Sequence, residues 1–175
     1  CNAKSEKEGL TPVYYINTSF TTPNIYKTGQ SDLQNTMVNW NANGYRLPTE
    51  AEWEFAARGG NKSKNYVYSG NDTLNKVGWY DNNSNNNTHQ GGTKSMNELG
   101  LYDMSGNAWE WCWDWWGSYS GSPQTNPHGV TSGTHRILRG GSFLNTQTLS
   151  RVFGRELDAP NIRYMNEGFR VSRTK

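Results

Sequence analysis

The chain has only two cysteines, six prolines and few Val, Ile or Leu, and no apolar run approaches the ~18 residues of a membrane-spanning helix. Cys1 and Cys112 cannot supply a disulfide framework. Cys112, inside Trp109-Glu110-Trp111-Cys112-Trp113, reads as a small buried apolar residue. Like charges do not cluster, and 17 basic residues nearly balance 15 acidic ones. A net charge of +2 excludes the electrostatic footprint of a nucleic-acid binder or of a protein drawn to anionic lipid. What the chain has instead is aromatic: eight Trp and ten Tyr, with 19 Gly and 22 Asn. Each buried ring removes ~150–250 Å² from water, so a few rings build a core. Gly and Asn tolerate left-handed backbone and mark turns. At 175 residues these features predict one loop-rich α+β domain and a monomer.

Residues 1–10 are polar and read as a tether, leaving residues 11–175 as the domain. An N-terminal Cys before such a stretch resembles a mature bacterial lipoprotein. On that reading Cys1 carries lipid, the lipid is the only membrane contact, and the protein sits at the cell surface or outer membrane. Thr11–Ile16 is β-branched and aromatic and predicts a first strand. Asp32–Trp40 reads as a short helix capped by Ser31. The clearest helix follows Thr49. Glu52 stands three residues after this cap, Glu50, Glu52 and Glu54 favour the positive end of the dipole, and Gly59 supplies a left-handed stop. Trp53, Ala56 and Ala57 share its apolar face. Residues 81–92 are a polar loop.

From Trp109 the aromatics alternate at 109, 111, 113 and 115, the period of a strand with one heavily buried face. Asp103 and Glu110 flank a tight turn that also offers the Gly106 and Ala108 carbonyls. Hard oxygens in this spacing suit a calcium ion. The spacing equally suits Asp103 as a turn cap and Glu110 as the partner of an Arg.

Three motifs occur in order: Tyr45-Arg46-Leu47-Pro48-Thr49-Glu50-Ala51-Glu52-Trp53 through Gly60, Asn97-Glu98-Leu99-Gly100-Leu101-Tyr102-Asp103-Met104-Ser105-Gly106-Asn107-Ala108-Trp109-Glu110-Trp111, and Arg139-Gly140-Gly141-Ser142 with Gly168-Phe169-Arg170-Val171. Together they resemble the formylglycine-generating enzyme (sulfatase-modifying factor) family over about residues 11–172. The resemblance implies a C-type-lectin-like fold with two helices, a small twisted antiparallel sheet and much loop. It also matches Asp103, Glu110 and the Gly106 and Ala108 carbonyls to a structural calcium site. The family's oxidases hold copper on two cysteines that correspond here to Asn145 and Ser150, neither of which forms the thiolate that copper(I) needs. No cofactor is then required, and the chain is not expected to be an enzyme.

Residues 136–171 resemble the C-terminal variable region of proteins diversified by retroelements. Framework pieces open and close the segment, and Arg151, Arg155, Pro160 and Arg163 are spaced between them. The candidate ligand-binding positions are Leu144, Thr146, Thr148, Leu149, Phe153, Glu156, Leu157, Asp158, Ile162, Tyr164 and Met165. Apolar and aromatic side chains among acids suit contact with a macromolecule, protein before others. The bland alternative pairs Arg151, Arg155 and Arg163 with Glu110, Asp114 or Glu167, and puts Leu149 and Phe153 in the core. Two rival functions stand beside the binder: a calcium-dependent sugar lectin using Trp115, Trp116 or Tyr119, and an oxidase-family enzyme using other residues.

Overall fold

The computed structural model describes residues 1–29 and 33–174. In chain order its elements are α1 (Asn2–Lys7), β1 (Tyr45–Arg46), α2 (Glu50–Ala57), α3 (Leu74–Val77), β2 (Trp109–Trp115), β3 (Arg136–Arg139), β4 (Arg155–Asp158), β5 (Glu167–Phe169) and β6 (Ser172–Arg173). Strands β4-β3-β2-β5 form one sheet, and β1 pairs with β6 in a separate antiparallel ribbon. β3 is antiparallel to β2 and β4, whereas β5 runs parallel to β2. The sheet is thus mixed, not wholly antiparallel as the resemblance implied. Residues 159–166 carry the chain from one edge of the sheet to the other without reversing its direction, and Trp109 N–H donates to the Asn166 carbonyl at 2.9 Å where they arrive.

α2 forms where the sequence placed it. Thr49 Oγ accepts from Glu52 N–H at 3.2 Å, and Glu52 Oε2 accepts from Thr49 N–H at 2.9 Å, closing the capping box. Gly59 ends the helix at φ +89°, and a Cβ there would meet the Glu98 carboxylate at 2.6 Å. The helix buries Trp53 and Ala57 against Met104, Cys112, Ile137 and Val152.

β2 differs from the one-sided strand expected. Trp113 packs with Val13, Tyr14, Leu33, Val38 and Ala42, while Cys112 packs with the α2 cluster, so both faces of the strand are covered. Glu110 and Asp114 are buried with it. The aromatic period identified the strand, but the second layer comes from segments remote in sequence.

Three other expectations are corrected. Residues 1–10 are not an extended tether. α1 lies against the body, with Asn2 Nδ2 donating to the Tyr14 and Tyr26 carbonyls at 2.7 and 2.9 Å and Asn2 Oδ1 accepting from Val13 and Tyr14 N–H. Ser5 Oγ accepts from Tyr45 N–H at 2.7 Å, in a space so close that a Cβ on Gly44 would meet Ser5 Oγ at 2.7 Å. Thr11–Ile16 makes isolated bridges only, Tyr14 to Val38 and Tyr15 to Ile25, because the Asn2 side chain occupies backbone groups that a longer ladder would use. The helix expected over 32–40 reduces to a single 3-10 turn at Asn35–Met37. Its proposed cap Ser31, with Asp32, lies outside the described residues.

Candidate ligand-binding surface

The surface rests on a buried ion network that joins α2, β3 and β4. Arg139, opposite Arg155 across the β3–β4 ladder, is wholly enclosed. Its guanidinium donates to Glu50 Oε1 at 3.2 Å, to Glu54 Oε2 and to the Val152 carbonyl at 2.9 Å. Arg155 grips Glu50 with two bonds, Nε to Oε1 at 2.6 Å and Nη2 to Oε2 at 2.9 Å, and also reaches the Gly117 carbonyl at 3.1 Å. The rings of Trp116 and Tyr119 lie against the Arg155 guanidinium, 4.5 and 4.1 Å from it. Tyr119 Oη donates to Glu50 at 3.0 Å, and burial with the Glu50 charge pushes its phenol up to about 12, so it stays a donor. Asp114 Oδ2 accepts from Glu50 N–H at 2.8 Å, and burial raises its carboxyl to about 7. The helix-dipole reading of Glu50 and Glu54 is therefore incomplete. Both carboxylates tie α2 to the C-terminal segment, and no local sequence signal marks a partner some 100 residues away.

Beyond β3 the chain turns outward. Gly140 and Gly141 hold φ +97° and +76°, and a Cβ on Gly141 would meet Ser150 Oγ at 2.5 Å. From here buried and open positions alternate irregularly. Ser142, Phe143, Ser150 and Val152 are enclosed. Leu144, Thr146, Thr148, Phe153, Glu156, Tyr164 and Met165 are exposed, while Leu149, Leu157, Asp158 and Ile162 are half-buried. None of the eleven candidate positions is core, which corrects the alternative for Phe153, 52% exposed. Tyr164 and Met165 stand out at 57% and 77%. Ile162 and Arg163 line a recess of about 330 Å³ with Trp111 and Trp113. The spaced arginines divide: Arg155 is fixed by Glu50, not by the acids first paired with it. Arg151 lies over the Phe153 ring, and Arg163 is exposed. Glu167, at the end of the crossover, is raised to about 7 by desolvation and the neighbouring Asp158 charge.

The expected calcium set is held differently. Glu110 accepts from Arg170 at 2.7 and 3.0 Å and from Trp53 Nε1 at 2.7 Å. Asp103 Oδ2 accepts from Gly92 N–H at 2.7 Å, and its Oδ1 is buried without a partner among the described residues. The Gly106 carbonyl accepts from Ala108 N–H at 3.0 Å. In this arrangement the Arg170 guanidinium takes up both Glu110 oxygens. The Arg-partner alternative describes Glu110.

At the positions of the family's cysteine pair, Asn145 Oδ1 accepts from Ser142 N–H and Oγ–H, and Ser150 Oγ is buried without a partner among the described residues. Cys112 is free, and burial holds its thiol well above the ordinary range. Of the rings considered for stacking on sugar, Trp115 is buried and unavailable. Trp116 and Tyr119 are exposed, and Tyr119 lines a cleft that the sequence did not mark.

This architecture has known counterparts. The model of the sulfatase-modifying factor enzyme 1-like domain matches residues 3–175, and the chain belongs to that family. It is 37% identical over its whole length to chaperone protein LppX of Paenibacillus barcinonensis, of which it covers 65%. It is 37% identical over 83% of its length to the formylglycine-generating enzyme of Streptomyces coelicolor, of which it covers 54%. Among solved structures, Treponema denticola variable protein 1 superimposes with a TM-score of 0.84 at 36% identity, over 98% of this chain and 65% of that one. The chain thus spans less than two-thirds of the length of these relatives. The C-type-lectin-like α+β scaffold expected from the three motifs is the one the chain adopts.

Proposed function

We propose that this protein is a non-enzymatic binding module that presents a diversified surface to a macromolecular ligand, a protein, with the eleven positions from Leu144 to Met165 as its contact residues. One observation carries the reading. Within a single segment Arg139, Ser142, Phe143, Ser150 and Val152 are enclosed, while every candidate contact position interleaved with them is open or half-open. Exposed Leu144, Phe153, Tyr164 and Met165 supply apolar area of the kind that anchors interfaces, among the acids Glu156 and Asp158. Likeness to Treponema denticola variable protein 1 supports the same reading. Asn145 and Ser150 in place of a thiol pair argue against copper-dependent oxidation. Binding through these side chains calls for no metal and no bond making. The bacterial relatives support placing the protein at a bacterial envelope. Cys1 packs against the first core cluster, so lipid on its sulfur would hold the body close to the membrane surface.

The test is the DNA downstream of the gene. The expected result is a near-copy of the segment encoding residues 136–171, differing at adenines in the codons of the exposed positions and lying beside a reverse-transcriptase gene. A downstream region without such a copy would overturn the diversification reading and leave a fixed member of the family.

A further inference from the structure

A cleft of about 600 Å³ opens between α2 and the segment that follows β2, and none of the eleven candidate contact positions lines it. Its size is that of a small-ligand site. Its rim carries two rings that folding leaves open, Phe55 at 55% and Tyr119 at 64% exposure.

The charges in the wall cancel. Glu50 is held by Arg139 and Arg155, and Glu54 by Arg58 and Arg139. Asp114, the remaining acid in the wall, is buried and accepts from the Glu50 amide, so among the described residues the cleft offers a charged ligand no exposed, unpaired counter-ion. What it offers is hydrogen bonding. Ser118, Ser120 and Ser122 line it and are exposed, and Gln124 adds an amide. Trp115 forms part of the wall, and its indole N–H is buried without a partner among the described residues. The Tyr119 hydroxyl is fixed by Glu50 and its ring is braced on one side by Arg155, so the ring cannot swing away.

We propose that this cleft binds a neutral carbohydrate without calcium. A pyranose has an apolar face of C–H groups and an edge of hydroxyls. Stacking that face on Tyr119 or Phe55 covers exposed ring surface, and the hydroxyl edge meets the serine and amide groups of the wall. Peptides also carry apolar faces, but the charged side chains common in them would find no free partner here. Because the site uses framework residues, it is independent of the variable surface, and the protein would carry two binding functions at once.

The experiment is saturation-transfer NMR on the full chain in EDTA with cellobiose, lactose, maltose and N,N′-diacetylchitobiose, beside the tripeptide Gly-Trp-Gly. The expected result is transfer to at least one disaccharide. Its affinity should fall tenfold or more in Tyr119→Ala, be retained in Tyr119→Phe, and be unchanged in a Tyr164→Ala, Met165→Ala double variant. Tyr119→Phe preserves the ring, so it keeps the test valid if Tyr119→Ala does not fold. Transfer to no disaccharide, transfer to the tripeptide alone, loss of binding in EDTA, or loss that follows Tyr164 and Met165 would each overturn the proposal.

Discussion

Two populations of residues are interleaved in the C-terminal segment, and they obey opposite rules. Arg139, Ser142, Phe143, Ser150 and Val152 are enclosed. Leu144, Thr146, Phe153, Tyr164 and Met165 are open to solvent, sometimes one residue away. The segment combines the two because its frame is not held by its own hydrophobic period. It is held by Arg139 and Arg155 gripping carboxylates on α2, and by glycines whose positive φ turns the chain outward. A frame braced from outside the segment leaves the intervening side chains free to change.

Breaking the frame should have the largest effect. Arg139→Ala removes a buried guanidinium and leaves Glu50 and Glu54 short of a partner. Loss of one partner from a buried ion network costs about 3–5 kcal/mol. Urea unfolding should register that loss, and a variant as stable as the parent would mean that the network is not what braces the segment.

A smaller effect appears with pH. The Asp114 carboxyl is raised from 3.8 to about 7 in the folded protein, so between these values the folded state keeps a proton that the unfolded state has released. Stability from this group is full below about pH 4 and is lost as pH rises through about 7, by at most roughly 4 kcal/mol. Glu167 acts in the same direction. Asp114→Asn should flatten the dependence measured by thermal melts between pH 4 and 8. An unaltered slope would assign it to other groups.

The smallest effect belongs to the open positions. Tyr164→Ala with Met165→Ala should change stability by no more than ~0.5 kcal/mol, since neither side chain is enclosed. A loss several times larger, read by the same urea titration, would place these residues in the frame and erase the contrast.

Much of the scaffold was legible in the chain. The Thr49–Glu52 capping box, the Gly59 stop and the alternation from Trp109 to Trp115 are local signals, and each produced its element. The proposed contact positions fall between framework motifs that the sequence shows. The folded N-terminal residues were not legible, since Asn2 draws its four hydrogen bonds from Val13, Tyr14 and Tyr26. Nor was the cleft, whose walls come from α2, the residues after β2 and Arg155.

The sequence by itself determined the family, the helix with its caps, the central strand and the missing thiol pair, because each depends on residue identity or short spacing. Only the tertiary structure decided that Glu110 would face Arg170, that Glu50 would face Arg139 and Arg155, that β5 would run parallel, and that Tyr119 would stand open beside a neutral cleft. These outcomes depend on which distant groups meet across the core, and burial drives most polar groups there to find a partner whatever their separation along the chain.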